Sequence, residues 1–393
     1  MSEAPSHRSS SLGGIPDLVC LGRTRWLSVF QRPQQLMTRY ARNRRVFFVE
    51  EPIFDDTPAT RITIDVHDGV HVVVPHVPRA FGETESIPAR RAALDQLLAR
   101  ERITRYVLWY CTPLALRFSS HLAPAGVAYD CIEELSTSSG AATELPALER
   151  ELLRRADVVF AGGLALYEAR KAQHPNIHAV PSAVDVVHFA AARQHGPDPP
   201  DQKPIPHPRL GFFGALDERL DIPLLQGLAD ARPDWQLVMI GPVVTIEGRH
   251  LPRRPNIHYL GPRAYADLPR YIGGWDVALL PFARNEATRF ISPTRTAAYL
   301  AAGRPVVSTS IRDVISPYGE LGLVYIADTV TEMMRACNAA LREPVEFRRT
   351  RADAFLSGMS WERTWSRTAA LLDAATVPAA PQPSQTARAA SGA

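Results

Sequence analysis

The sequence predicts an α/β protein built from two successive doubly wound domains that face a cleft. Three observations carry this. Short apolar runs such as Val46-Phe47-Phe48-Val49, Val158-Val159-Phe160-Ala161 and Val277-Ala278-Leu279-Leu280 alternate with segments of helical spacing, the rhythm of a parallel sheet wrapped by helices. That rhythm stops over residues 193–208, RQHGPDPPDQKPIPHP, and then restarts. The length of 393 residues also exceeds what one hydrophobic core usually serves.

Residues 1–16 are polar and read as a disordered lead with no signal-peptide run. The first domain, expected over 17–192, opens with a strand at 17–22, a helix from about Arg32 with Pro33 in its first turn, and a strand at 45–50. Residues 62–66 and 70–74 form a hairpin about His67-Asp68-Gly69. A helix at 88–102, strands at 106–110 and 127–130, a helix at 145–156, a strand at 157–161, a helix at 164–173 and a strand at 177–181 complete it. The proline cluster at 193–208 is the expected linker. The second domain, 209–358, has strands at 209–213, 235–240, 257–260, 277–280, 305–309 and 323–326, with helices at 222–231, 265–273 and 331–341. A helix from Trp361, with Trp365 on the same face, is expected to cross back within 359–375, and the tail 376–393 reads as disordered.

Composition sets bounds on function. Hydrophobic content of 46%, charged content of 22% and a net charge of +3 suit a soluble globular protein and give no ground for nucleic-acid binding. The four cysteines include no CxxC pair and the histidines form no HxH or HExxH motif, so no metal site is expected. A cytoplasmic location follows, with contact at the inner face of the membrane as a further expectation. Arg39, Arg42, Arg44 and Arg45, with Arg90 and Arg91, would attract anionic lipid, or simply form a solvated face.

The stretch from Trp275 to Thr309 is the most informative. An apolar strand ends at Pro281, and a polar loop carries Glu286, Thr288 and Arg289. Ser292-Pro293-Thr294-Arg295 then starts a helix, with Ser292 at the N-cap and Pro293 at the first helical position. Free N–H groups and an arginine past a parallel strand are a place for phosphate.

This stretch, with GFFGALDERLD at 211–221 and the run PNIHYLGPRAYADLPRYIGGWD, resembles the C-terminal half of bacterial GT-B glycosyltransferases of the family 1/family 4-like, polysaccharide-biosynthesis type. The segments WLSVFQRPQQLM, YDCIEELS, RADVVFAGG and PSAVDVVHF resemble the same subgroup, over roughly residues 17–375. The resemblance implies two Rossmann-like domains, a nucleotide-diphosphate sugar held by the C-terminal one, an acceptor held by the N-terminal one, and no cofactor or metal. On the donor side it implicates Gly214, Asp217, Arg219, Gly241, Arg263, Glu286, Thr288, Arg289, Ser292, Pro293, Thr294 and Arg295. Arg219 takes the place of a family cation, because Ala215 stands in the family's Arg position.

On the acceptor side stand Arg23, Trp26, Gln31, Arg32, Glu133 and Glu134, with Asp130 as a candidate base beside Arg219 and Arg295 as catalytic groups. The plain alternatives are ion pairs, helix caps and a solvated loop. The chain also departs from the family. Ala298 and Phe290 replace two glutamates, the first of which usually holds the donor ribose, and Glu286 is the nearest stand-in. The function these features imply is transfer of a sugar to a saccharide or lipid-linked acceptor in cell-surface polysaccharide synthesis, with retention of configuration. A non-catalytic binding protein, or a nucleotide-sugar epimerase or hydrolase on the same fold, is the alternative.

Overall fold

The computed structural model describes residues 14–27, 31–132, 134, 143–194, 196–244, 246 and 248–376. Its first sheet collects β1 (Asp17–Leu21), β2 (Val46–Val49), β3 (Ile53–Asp55), β4 (Arg61–His67), β5 (Val70–Pro78), β6 (Tyr106–Tyr110), β7 (Gly126–Cys131), β8 (Val158–Ala161) and β9 (Ile177–Ala179). The order is β3-β5-β2-β1-β6-β7-β8-β9. Every pairing is parallel except that of β4 with β5, a hairpin. Its turn places Asp68 and Gly69 at φ of 49° and 81°, the left-handed geometry that tight hairpins favour. Helices α1 (Arg32–Tyr40), α2 (Glu83–Arg100), α3 (Leu116–Ser119), α4 (Leu145–Arg155) and α5 (Leu164–Arg170) cover the sheet. With both faces covered, β2, β6 and β8 are buried at every position, which is why they read as unbroken apolar runs.

After β9 the short α6 (Val186–Ala190) already belongs to the second domain, where Phe189 joins the core. The proline-rich stretch that follows is not a loose tether. Gln202 is fully buried and bridges the Tyr271 carbonyl and the Trp275 indole N–H, each at 3.0 Å, while Asp198 pairs with Arg209 at 2.7 Å. The second sheet holds β10 (Arg209–Phe213), β11 (Gln236–Ile240), β12 (Ile257–Gly261), β13 (Val277–Leu280), β14 (Val306–Ser308) and β15 (Val324–Ile326). All are parallel, in the order β12-β11-β10-β13-β14-β15. This is the doubly wound order, which reverses direction between β10 and β13.

Around the second sheet lie α7 (Ile222–Ala231), α8 (Leu268–Gly273), α9 (Arg295–Ala301), α10 (Arg312–Val314), α11 (Val330–Arg342) and α12 (Val345–Leu356). Thr329 and Glu332 cap α11 reciprocally, at 3.2 and 3.0 Å. The sequence reading missed α12. Its arginines dilute the apolar periodicity, and only Arg348, Ala352 and Leu356 are buried.

The last helix, α13 (Trp361–Thr376), packs on α1, β7 and β8 of the first domain. Leu372 is fully buried, and the Tyr40 hydroxyl donates to Thr368 at 3.1 Å. The same helix neutralises much of the basic run near residue 40. Glu362 pairs with Arg42 at 2.9 Å and with Arg39 at 3.4 Å, and Asp373 pairs with Arg44 at 3.0 Å. Arg45 is held by Asp17 at 2.5 Å and Arg90 by Glu51 at 3.2 Å. The charges expected to meet lipid are therefore largely committed within the protein.

The two domains touch through α5 and α10. The Asp313 carboxylate caps α5 from the other domain, accepting from Ala165 N at 2.8 Å and Leu164 N at 3.1 Å. Arg312 pairs with Glu168 at 2.7 Å beside it. Burial pushes the Asp313 carboxyl above its usual range, while those two N–H groups and the Ser292 hydroxyl pull the other way. Gly163 makes the contact possible, since a Cβ there would fall onto the Asp313 carboxylate and the Ser292 side chain. Gly163→Ala is therefore expected to destabilise the protein by about 1–3 kcal/mol. Gly196→Ala, where a Cβ would meet nothing within 4 Å, should leave stability unchanged. Denaturant unfolding of the two variants checks this, and equal midpoints would contradict it.

Candidate functional site

The crevice lies where the second sheet reverses. β10 pairs with β11 along five residues, Arg209 to Phe213, but with β13 only at Leu210 and Gly211. Beyond those two positions the strand ends separate, the place where open α/β sheets hold ligands. Aromatic side chains line the gap. Phe212 meets Phe282 edge-on at 6.1 Å, and Phe213 meets Tyr299 of α9 at 5.2 Å.

Arg295 enters this gap from the first position of α9. Its guanidinium lies over the rings of Phe212 and Phe282, at 5.3 and 5.8 Å from their centroids. It also lies against Gly214, so closely that a Cβ there would fall inside the guanidinium group. Gly214 further holds φ at +144°, a conformation that side chains rarely adopt. Next to it, Gly241 follows β11 at a point where a Cβ would fall onto the Gly214 carbonyl. Among the described residues Arg295 has no hydrogen-bond or ion-pair partner. Burial, and to a smaller degree Arg219, hold its guanidinium below the usual range, against the pull of Tyr299 and Asp217. It remains a cation.

The neighbouring candidates are more committed than the sequence suggested. Arg219 forks onto Asp217 through Nε and Nη2, with Nε at 3.0 and 3.1 Å from the two carboxylate oxygens. Asp217, 5% exposed, is thus the partner of Arg219. Only Nη1 of Arg219 donates to no described residue. Arg263 is committed as well. It is tied to Asp201 of the proline-rich stretch and to the Tyr271 hydroxyl at 2.7 Å.

Glu286 is exposed and pairs with Arg289 at 3.4 Å, while the Arg289 guanidinium lies over Phe290. Thr288 is buried and closes its own loop, donating to the Ala283 carbonyl and accepting from Asn285 N at 3.1 Å. Ser292 does not cap the helix. Its hydroxyl goes to Asp313, Pro293 is buried, and Thr294 is the N-cap before a helix that begins at Arg295. Ala298 is 2% exposed and brings no carboxylate, and Phe290 packs against the core of the first domain.

On the first domain, Asp130 is fully buried and clamped by Arg32. Arg32 Nε lies 3.0 Å from both carboxylate oxygens and Nη2 lies 2.8 Å from one, while Nη1 donates to the Val180 carbonyl at 2.7 Å. The pair ties α1 to β7 and commits both side chains to each other. Trp26 is 4% exposed and packs edge-on against Phe48, so it belongs to the core. Gln31 is the N-cap of α1, its N–H held by Gln34 at 3.1 Å.

Glu134 belongs to a buried cluster in which Arg170 bridges it, at 2.6 Å, to Glu149. Glu133 lies outside the described residues. Arg23 stays exposed at the end of β1, within electrostatic reach of Cys111 and Glu51. No group of three or more His, Cys, Asp or Glu able to hold a metal occurs among the described residues, and no described helix is long and apolar enough to cross a membrane.

The sequence reading missed Tyr299, Gly163 and Asp313. The partner that gives each its meaning comes from a distant segment. The arrangement that remains is an uncompensated cation on an apolar bed, with a second arginine beside it, at the open end of a parallel sheet. It can bind and stabilise a phosphate.

Residues 207–343 match the family model described as Glycosyl transferases group 1. The chain is 28% identical over 235 residues to a Bacillus subtilis (strain 168) protein provisionally named as teichuronic acid biosynthesis glycosyltransferase TuaH, covering 56% of this chain. The match spans 59% of that relative's length. In three dimensions the chain is similar to sucrose-phosphate synthase of Thermosynechococcus elongatus, with a TM-score of 0.66 at 14% identity, covering 91% of this chain and 98% of that one. It is similar too to Anabaena HepE solved with UDP and glucose, with a TM-score of 0.65 at 14% identity over 91% and 99% of the two chains. The chain therefore has the GT-B fold, and the stretch 207–343 of its second domain is similar to the Glycosyl transferases group 1 family.

Proposed function

We propose that this protein is a glycosyltransferase that takes a sugar from a nucleotide-diphosphate donor held at the crevice of the second domain. The acceptor is a saccharide or lipid-linked saccharide lying against the first domain, and the product belongs to cell-surface polysaccharide. The single observation that carries the donor reading is Arg295. It is a cation on two aromatic rings, against a glycine and with no anion of the described protein to pair with it. The group 1 match, the teichuronic acid name of one relative and the UDP bound to HepE support the same reading.

When the bond between the sugar and the donor phosphate breaks, negative charge grows on the departing phosphate. A guanidinium on an apolar surface stabilises that charge more than it would in water. Arg219 adds its Nη1 while Asp217 keeps the group oriented. No metal is required for this. Retention of configuration is part of the proposal. Asp130 and Glu134 are both consumed in ion pairs with buried arginines, and a retaining enzyme of this fold needs no protein base for the acceptor hydroxyl.

A second reading has its own observation. Ala298 carries no carboxylate, and Glu286 is turned to Arg289. A protein that binds a nucleotide without transferring sugar would fit these two positions. Nucleotide release from UDP-, GDP- and ADP-sugars, with and without saccharide acceptors, separates the readings.

Arg295→Ala is expected to weaken nucleoside diphosphate binding by about 10- to 100-fold, the loss of charge-assisted hydrogen bonds to a phosphate. Calorimetric titration with UDP, GDP and ADP measures it, and equal affinity in variant and wild type would contradict the assignment. Asp130→Asn should act on stability, costing about 3–5 kcal/mol because Arg32 is left buried without its partner. Urea unfolding checks this. Lost turnover at unchanged stability would instead make Asp130 a base.

A further inference from the structure

Tyr299 sits within α9, fully buried, its ring edge-on to Phe213 at 5.2 Å and tilted against Trp275 at 5.9 Å. Packing alone would be met by phenylalanine, and a buried hydroxyl is a cost unless it finds a partner. Its partner is the backbone N–H of Phe213, at 3.0 Å.

Successive residues of a strand point their N–H groups to opposite sides. Gly214 N donates toward β11, to Ile240 O at 2.8 Å, so Phe213 N points toward β13. But β13 has already left, since its pairing with β10 ends at Gly211. The hydroxyl of Tyr299 supplies the acceptor that the neighbouring strand no longer offers. It therefore fixes the residue just before Gly214. Arg295 lies four positions earlier on the same helix, and so on the same face, with its guanidinium against Gly214. One helix face thus supplies both the cation and the support for the opposite wall of the crevice.

We infer that Tyr299 is a positioning residue for the donor phosphate: its hydroxyl holds the Phe213–Gly214 turn where the Arg295 guanidinium and the turn face the same anion. This rests on the donor reading given above. Burial pushes the hydroxyl well above its usual range, so the group that accepts from Phe213 N is a neutral hydroxyl.

The test is a double-mutant cycle of Tyr299→Phe and Arg295→Ala, with UDP and GDP as calorimetric probes. Tyr299→Phe keeps the ring and should remain folded, with affinity about 5-fold weaker and faster amide exchange at Phe213. In the Arg295→Ala background the same change should cost nothing further, because a positioning residue acts through the group it positions. Tyr299→Phe binding as tightly as wild type, or a loss that adds in full to that of Arg295→Ala, would overturn the inference. Tyr299→Met, which also lacks a suitable hydroxyl, must show the same non-additivity. If wild type binds neither nucleotide, the donor reading fails first. If wild type binds and Arg295→Ala weakens binding while Tyr299→Phe does not, only the role of Tyr299 fails.

Discussion

The contact between the Arg295 guanidinium and the backbone of Gly214 organises the second domain's crevice. It exists because the sheet reverses there. Once β13 diverges from β10, the space between their ends must be filled, and α9 fills it with Tyr299 and Arg295. The aromatic rings of Phe212 and Phe282 give the cation a surface but no counter-charge. A desolvated positive charge left in that state favours an anionic ligand. The same contact explains why position 214 is glycine, since its φ and the guanidinium each exclude a side chain.

The loop that delivers Arg295 is itself held by the junction between domains. Ser292 and Asp313 meet at the N-terminus of α5, and Phe290 reaches into the core of the first domain. Any movement that separates α5 from α10 would therefore pull on the segment immediately before Arg295. Phe290 forms an apolar bridge across the junction.

Much of the fold was legible because it depends on local pattern. Strands buried on both faces read as apolar runs, and the loop at 285–295 stood out as the approach to a helix at a strand end. Side-chain roles were less legible, because they depend on partners far away in sequence. Arg32 and Asp130 are separated by 98 positions, and each looked functional alone. Arg263 was read beside a nucleotide base, and its pairing with Asp201 of the proline-rich stretch was not legible. Ser292 looked like an N-cap, yet its hydroxyl is drawn to Asp313 and the helix begins later. Asp217 and Arg219 were read as donor contacts, yet only two residues apart they pair with each other. Arg295 was legible as a phosphate cation, but its uncompensated state follows only from the aromatic bed and the glycine beneath it.

A crystal structure of the protein with a bound nucleoside diphosphate tests the central claim most directly. The account predicts a phosphate oxygen at about 2.7–3.1 Å from the Arg295 guanidinium, above Gly214 at the open ends of β10 and β13. A nucleotide seated elsewhere, with Arg295 still lying on Phe212 and Phe282 and touching no phosphate, would contradict it.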